Sequence, residues 1–205
     1  FARTRENGTE FGNAATSGKD LRRAILDLLT DAKDDRVTSR LTQTMSKVKN
    51  ADTTSPRGQR NVALGIATPQ GKLDLIGFNF NIDAILSSVL LTDFTLNTTT
   101  GEVEIIDFVP TQNLSKPEGA THVSLTSGFL NLDFATNTHD LVASPIVNLP
   151  SDSVVTTVAL TPASVPTGTG NAFYFLKVAF FQEVNSVQYA LNNGAYNALQ
   201  LLEVL

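Results

Sequence analysis

The sequence predicts a mainly β fold, a two-layer antiparallel β-sandwich of the Ig-like or jelly-roll-like kind preceded by an N-terminal helical hairpin. Three observations predict it. From Phe78 onward, short runs alternate apolar and polar residues between clusters of Gly, Pro, Asn and Asp, the pattern of strands joined by tight turns. Residues 172–181 hold four of the chain's twelve phenylalanines and one charge, Lys177. Both faces of that alternation are largely apolar, as in a strand covered on both sides. The region before residue 50 instead repeats with helical spacing.

Taken in order, residues 1–18 read as an extended or irregular arm, with turn signals at Asn7-Gly8, Gly12-Asn13 and Ser17-Gly18 and with Phe1 and Phe11 as anchors. A first helix follows, its stripe formed by Leu21, Ile25, Leu28 and Leu29, with Ser17 as N-cap and Asp20 in the first turn. Asp34-Asp35 interrupt and recap the chain, and a second helix carries Val37, Leu41, Met45 and Val48 to about Lys49. The turn-rich stretch Ala51 to Gly58, with Ser55-Pro56 at its centre, is a linker. Residues 59–66 read as a helical turn or two, and 69–77 either as a short helix closed by Gly77 or as the lead-in to a strand. The expected division is therefore residues 1–68, arm and hairpin, and residues 69–205, sandwich.

Within the β region, Phe78 and Phe80 alternate with Asn79 and Asn81. Residues 97–101 form a hairpin loop. In the strand that returns, Val103 and Ile105 face one way and Ile106 and Phe108 the other, which predicts a β-bulge near Ile105-Ile106. Strands follow over 122–126, 130–134 and 154–160. The last meander turns at Asn185-Ser186 and again at Asn192-Asn193-Gly194. It ends on residues 199–205, apolar on both faces where an edge strand ordinarily carries charge. That end is expected either to lie between other strands of its own sheet or to be covered by another subunit.

Length and composition exclude several classes. At 205 residues, 41% hydrophobic and 17% charged, the chain can bury a sizeable core. No apolar run approaches the ~20 residues of a membrane helix, so no membrane span is expected. The basic start, Phe1 to Arg5, is followed by no apolar stretch, so the chain holds no signal peptide. It does not begin with Met, which is read as processing or truncation. Without cysteine there is no disulfide, thiolate metal site or Cys nucleophile.

No chemistry emerges from the motifs, and no catalytic, cofactor-binding or metal-binding residue is assigned. His122 and His139 are the only histidines. A set of Ser124, His122 and Asp133 can be written on paper, but no G-x-S-x-G elbow accompanies it. Asp133, Asn137 and Asp140 offer oxygen ligands without the spacing of a calcium loop. Thr167-Gly168-Thr169-Gly170 leads into a strand, not into a helix N-terminus able to cradle phosphate. The arginines at 3, 5, 22, 23, 36, 40, 57 and 60 are interleaved with acids and lack aromatic partners other than Phe1 and Phe11, so no nucleic-acid partner is expected.

Charge is uneven. Residues 1–60 carry twelve Lys and Arg against eight Asp and Glu, and residues 61–205 carry three against twelve. A basic end and an acidic body of this kind attract each other, within one molecule or between copies.

Six segments resemble a family of uncharacterised bacterial proteins: FARTRENGTEF at 1–11, DRVTSRL at 35–41, SPRGQRNV at 55–62, GFNFN at 77–81, PEGATHV at 117–123 and NNGAYNAL at 192–199. The resemblance implies no activity and no site residues. It implies one departure, a β-like segment before the equivalent of Phe1 that this chain lacks.

The expected function is that of a non-catalytic structural subunit assembling with copies of itself at the cell surface or outside the cell, as a filament, tube or shell. Phe1, Arg3, Arg5, Phe11, Leu199, Leu201, Leu202 and Val204 are the expected subunit interface, with strand addition from a neighbour as the means. An adhesin-like module binding a glycan or protein through the loops at 137–140 and 161–170 is the alternative. A phage-like particle component is the second alternative.

Overall fold

The computed structural model describes residues Phe1–Leu205. Helix and strand contribute nearly equally, 32% and 31%, so the mainly β expectation is corrected to a mixed fold of helices and two antiparallel sheets.

The main source of the difference is the N-terminus. Residues 1–18 are not an irregular arm, because α1 spans Ala2–Ala24, and Ser17 lies within it, not at a cap. Its glycines each cost about 1 kcal/mol relative to alanine in a helix, and tertiary tethers offset that cost. The Glu10 carboxylate accepts from Gly58 N at 2.7 Å and from Arg60 at 3.0 and 3.1 Å, and it pairs with Lys49. Asn13 Oδ1 accepts from Val62 N at 2.8 Å. None of these partners is near in sequence, so no local signal announced them.

The helical layer continues with α2 (Leu26–Leu29), α3 (Val37–Asn50), α4 (Val62–Ile66) and α5 (Pro69–Leu75). Asn61 caps α4 by accepting from Leu64 N, and Thr68 caps α5 by accepting from Gly71 N. Proline at the first position of α5 settles the open choice at 69–77 in favour of helix. A one-turn helix, α6 (Leu86–Val89), follows.

Three strands form the smaller sheet in the order β1-β2-β6, from β1 (Thr95–Leu96), β2 (Val103–Phe108) and β6 (Thr156–Leu160). A one-turn helix, α7 (Pro110–Asn113), leaves β2. The larger sheet is built on β3 (His122–Asp133) and β7 (Asn171–Val184), paired antiparallel over nearly their whole length. β4 (Thr138–Ala143) and β5 (Val147–Pro150) flank β3, while β8 (Val187–Ala190) and β9 (Ala198–Val204) flank β7.

The bulge expected in β2 is present as a register shift between Ile105 and Phe108, with Asp107 at φ 51°. It turns Val103, Ile105 and Phe108 all inward and leaves Ile106 exposed. The first turn of the last meander carries positive φ at Asn185 and Ser186, the conformation of a tight hairpin turn. At the second, Asn192 and Asn193 take positive φ in a short 3-10 turn, Leu191–Gly194, that links β8 to β9, both of which pair with β7.

β7 lies between two apolar clusters, as its composition predicts. Phe173 and Phe175 join Leu130, Leu132, Leu199 and Leu201 in a core shared with α1, α2, α3, α4 and α5. Leu176, Val178 and Phe180 join Val123 and Leu125 in a second core shared with α6 and the smaller sheet. The layers therefore run helices, larger sheet, smaller sheet. Across the second interface Ser127 Oγ donates to Leu160 O at 2.9 Å, and Tyr174 Oη donates to Thr98 O at 2.6 Å. Gly101 sits over Phe129, where a Cβ would meet its ring at 2.6 Å. That close approach and its φ of 77° require glycine.

β9 has no free edge along its middle. β7 pairs with one side of it. On the other side Phe80 N donates to Leu199 O, Gly77 N to Leu201 O and Leu201 N to Phe78 O. The Phe78 to Asn81 stretch is thus extended, but it joins the sheet through a single bridge, Asn79 with Gln200.

Candidate functional site

The residues expected at a subunit interface separate into two groups. Phe1 and Phe11 are exposed on α1, and Arg3 and Arg5 are exposed beside them. Leu199, Leu201 and Val204 are essentially inaccessible in the first core, and Leu202 packs against the second. The apolar C-terminal faces are taken up inside the chain itself, so they offer a neighbour no surface.

The charge difference becomes a difference between layers. The helical layer, residues 1–76, carries thirteen Lys and Arg against nine Asp and Glu. The segments forming the smaller sheet and its flanks hold Asp83, Asp93, Glu102, Glu104, Asp107, Glu118 and Asp152 against Lys116 alone. One outer layer is net basic and the opposite one net acidic.

The histidine region makes hydrogen bonds but no triad. His122 Nδ1 and Thr121 Oγ1 lie 3.0 Å apart, and Nε2 is 3.6 Å from Glu183 Oε2. Ser124 Oγ accepts from Asn148 Nδ2 at 2.8 Å, and Asn148 exchanges amide hydrogen bonds with Gln188. Asp133 faces the opposite side of β3, where it accepts from Ala135 N at 2.7 Å. That hydrogen bond is the main reason its carboxyl lies below the ordinary range.

The loops of the alternative binding surface do meet. Asp140 Oδ2 accepts from Thr167 N at 2.6 Å and from Thr167 Oγ1 at 2.8 Å, and these bonds lower its pKa. Asn137, at φ 54°, is a turn residue. Of the oxygens considered for calcium, Asp133 and Asn137 are engaged in a turn and Asp140 in the contact with Thr167. No group of three or more His, Cys, Asp or Glu placed to hold a metal ion is found in the structure. A cleft of about 550 Å³ opens where α6 and the residues after it meet β9, lined by Leu86, Ser87, Leu90, Asp93, Phe94 and Gln200 among others.

A polar constellation that the sequence reading missed lies where the helices meet the sheet. Lys177, the lone charge of β7, faces the helical layer opposite Leu199 of β9 and Thr126 of β3. Its ammonium pairs with Asp31, just after α2, and the side chain is only 12% exposed. Asn197, on the same face immediately before β9, is 1% exposed. Its Oδ1 accepts from Phe180 N at 2.9 Å, and its Nδ2 donates to Asp31 O at 2.8 Å and lies 3.4 Å from Asp31 Oδ2. One carboxylate therefore spans an amine and an amide. Gly194 lets the Asp31 carbonyl come close, because a Cβ there would meet Asp31 O at 2.1 Å. The only sequence signal was an unpartnered Lys in an apolar strand. Its partner Asp31 lies 146 positions away, where no periodicity reaches.

A second junction stands beside it. Arg40 donates to Asn79 O at 2.9 Å and pairs with Asp34, whose carboxylate also accepts from Ile82 N at 2.9 Å. Burial pushes the Asp34 carboxyl up, but Arg40 and these backbone donors outweigh it and the net direction is down.

Searches against protein-family models, curated proteins and solved structures returned no match to this chain.

Proposed function

We propose that this chain is a non-catalytic structural subunit that assembles with copies of itself into a filament, tube or shell outside the cell or at its surface. The observation that carries the reading is the opposed charge of the two outer layers. A basic layer on one copy meets the acidic layer of the next in a head-to-tail contact, and head-to-tail contacts propagate into rings or open polymers. Phe1 and Phe11, exposed beside Arg3 and Arg5, supply apolar area at the basic end. Strand addition has a place of its own, since β6 ends the smaller sheet and residues 153–160 contain neither charge nor proline to blunt that edge. The packing of two antiparallel sheets about one apolar cluster supports the reading of the β portion as an Ig-like or jelly-roll-like sandwich.

Electron microscopy and light scattering of the purified chain test the proposal. Polymers that shrink as salt rises are expected, because screening weakens contacts between exposed charges. A chain that stays monomeric at high concentration and low salt overturns it.

One observation favours a second reading, an adhesin-like module that binds a glycan or protein. Asp140 and Thr167 join the two loops of that surface. Glycan-array binding lost in Asp140→Ala, without polymers, would establish it in place of the first.

A further inference from the structure

We propose that Lys177 and Asn197 become joined by an intramolecular isopeptide bond, formed by the folded chain itself with Asp31 as proton carrier. The inference goes beyond the assembly reading and stands without it.

The parts of an acyl transfer are assembled at this junction. The nucleophile is the Lys177 amine, held by Asp31 in a side chain 12% exposed. The electrophile is Cγ of Asn197, in a residue 1% exposed. Phe180 N–H lies 2.9 Å from Asn197 Oδ1, where negative charge develops when the carbonyl is attacked. The leaving nitrogen, Nδ2, lies 3.4 Å from Asp31 Oδ2 while the other oxygen of that carboxylate holds Lys177. Lys177 pairs with Leu199 and Val178 with Ala198, so Asn197, the residue immediately before β9, continues that register opposite Ala179 and diagonal to Lys177, a separation that a long side chain can span. Two further bonds fix the segment around Asn197: Asn81 Nδ2 donates to Asn197 O at 2.9 Å and to Ala195 O at 3.0 Å. An ion pair alone accounts for a lysine in this strand. It does not account for an amide held across the same carboxylate with its carbonyl on a backbone donor.

The step balances without a cofactor or an oxidant. The Lys177 ammonium passes a proton to the Asp31 carboxylate, and the freed lone pair on Nζ attacks Asn197 Cγ. Nζ gives up a second proton and Nδ2 gains one. The Cγ–Nδ2 bond breaks as the Nζ–Cγ amide forms. Ammonia leaves and takes the proton held by Asp31, departing as ammonium. Proximity in a preorganised site, with Lys177 and Asn197 shielded from water and Asp31 38% exposed at its rim, is what lets an unactivated amide react. The product would tie β7 covalently to the start of β9, across the β8 hairpin.

Intact-mass and tandem mass spectrometry of the purified full-length chain test this. The expected result is a mass lower than the sequence mass by one ammonia, ~17 Da, with a digest fragment in which Lys177 and Asn197 are linked. Lys177→Arg keeps a cation for Asp31 but cannot form the bond, and Asp31→Asn removes the proton carrier. Both should show the full sequence mass, with circular dichroism reporting that each is folded. A wild-type chain at full sequence mass after prolonged incubation overturns the proposal. So does the same loss mapped to succinimide at Asn7-Gly8 or Asn193-Gly194, or one that persists in folded Lys177→Arg.

Discussion

Single residues fasten the helical layer together, mostly as buried carboxylates in contact with cations or backbone donors. Glu10 is the clearest case. Hydrogen bonds from Arg60 and Lys49 hold its carboxyl at about 2 against an ordinary 4.5, although burial opposes them. Asp52 is lowered as well, with burial outweighed by donors from Ser55 and Thr54. Because the folded pKa of Glu10 is depressed, its contribution is fully present above its unfolded value. It is lost as pH falls from about 4.5 toward 2. Glu10→Gln should therefore cost about 3 kcal/mol near neutrality, since it leaves buried cations without their partner, and the deficit should narrow as pH falls through that window. Urea denaturation of both chains from neutral to acid pH measures it. Gly194→Ala is the second prediction at this scale. A Cβ at φ 83° and 2.1 Å from Asp31 O should lower stability by about 2 kcal/mol, read as a lower denaturation midpoint with unchanged slope.

At the level of elements, α1 separates local propensity from tertiary context. Three glycines and the Asn-Gly and Ser-Gly pairs argue for turns, yet Glu10, Asn13 and the packing of Gly18 beside Leu41 hold one continuous helix. Gly8 and Gly12 have nothing within 4 Å of the position of a Cβ. Gly8→Ala and Gly12→Ala should each raise stability by about 0.5–1 kcal/mol, through helix propensity alone. An irregular arm would show no gain in thermal midpoint or helical circular dichroism. β3 reads as two strands, 122–126 and 130–134, and is one. β6 and β7 were easier to read, because a period of two needs only adjacent residues to be recognised. The bulge in β2 was legible for the same reason: its apolar residues change face within six positions.

For the whole molecule, the arrangement of layers sets what unfolds last. β3 and β7 are buried between the helices and the smaller sheet, so their amides should exchange with solvent only on global unfolding. The first nine residues of α1 are mostly exposed and should exchange fastest. Hydrogen exchange read by mass spectrometry gives the order. The same layering turns a charge difference between two halves of a sequence into two opposed surfaces. Arg3→Glu with Arg5→Glu should accordingly reduce polymer mass several-fold at low salt and leave the monomer folded, as sedimentation and circular dichroism would report.

The strand at 154–160, both ends of β3, the turn at Asn185-Ser186, the helices around Leu21 and Leu41 and the doubly covered strand at 172–181 could be read from neighbouring residues. Each depends on periodicity or on turn chemistry, which act over a few positions. β4 and β5, by contrast, lie in a stretch that reads as loop, and β3 is one strand where the sequence suggests two. Three things required the folded chain: the helical state of residues 2–18, the place of 199–205 inside its own sheet, and the meeting of Lys177 with Asp31 and Asn197. Each depends on hydrogen bonds between residues tens to more than a hundred positions apart. A sequence read without relatives carries no record of such pairings, because nothing local in Lys177 or Asn197 says which strand, and which face, will bring the other alongside.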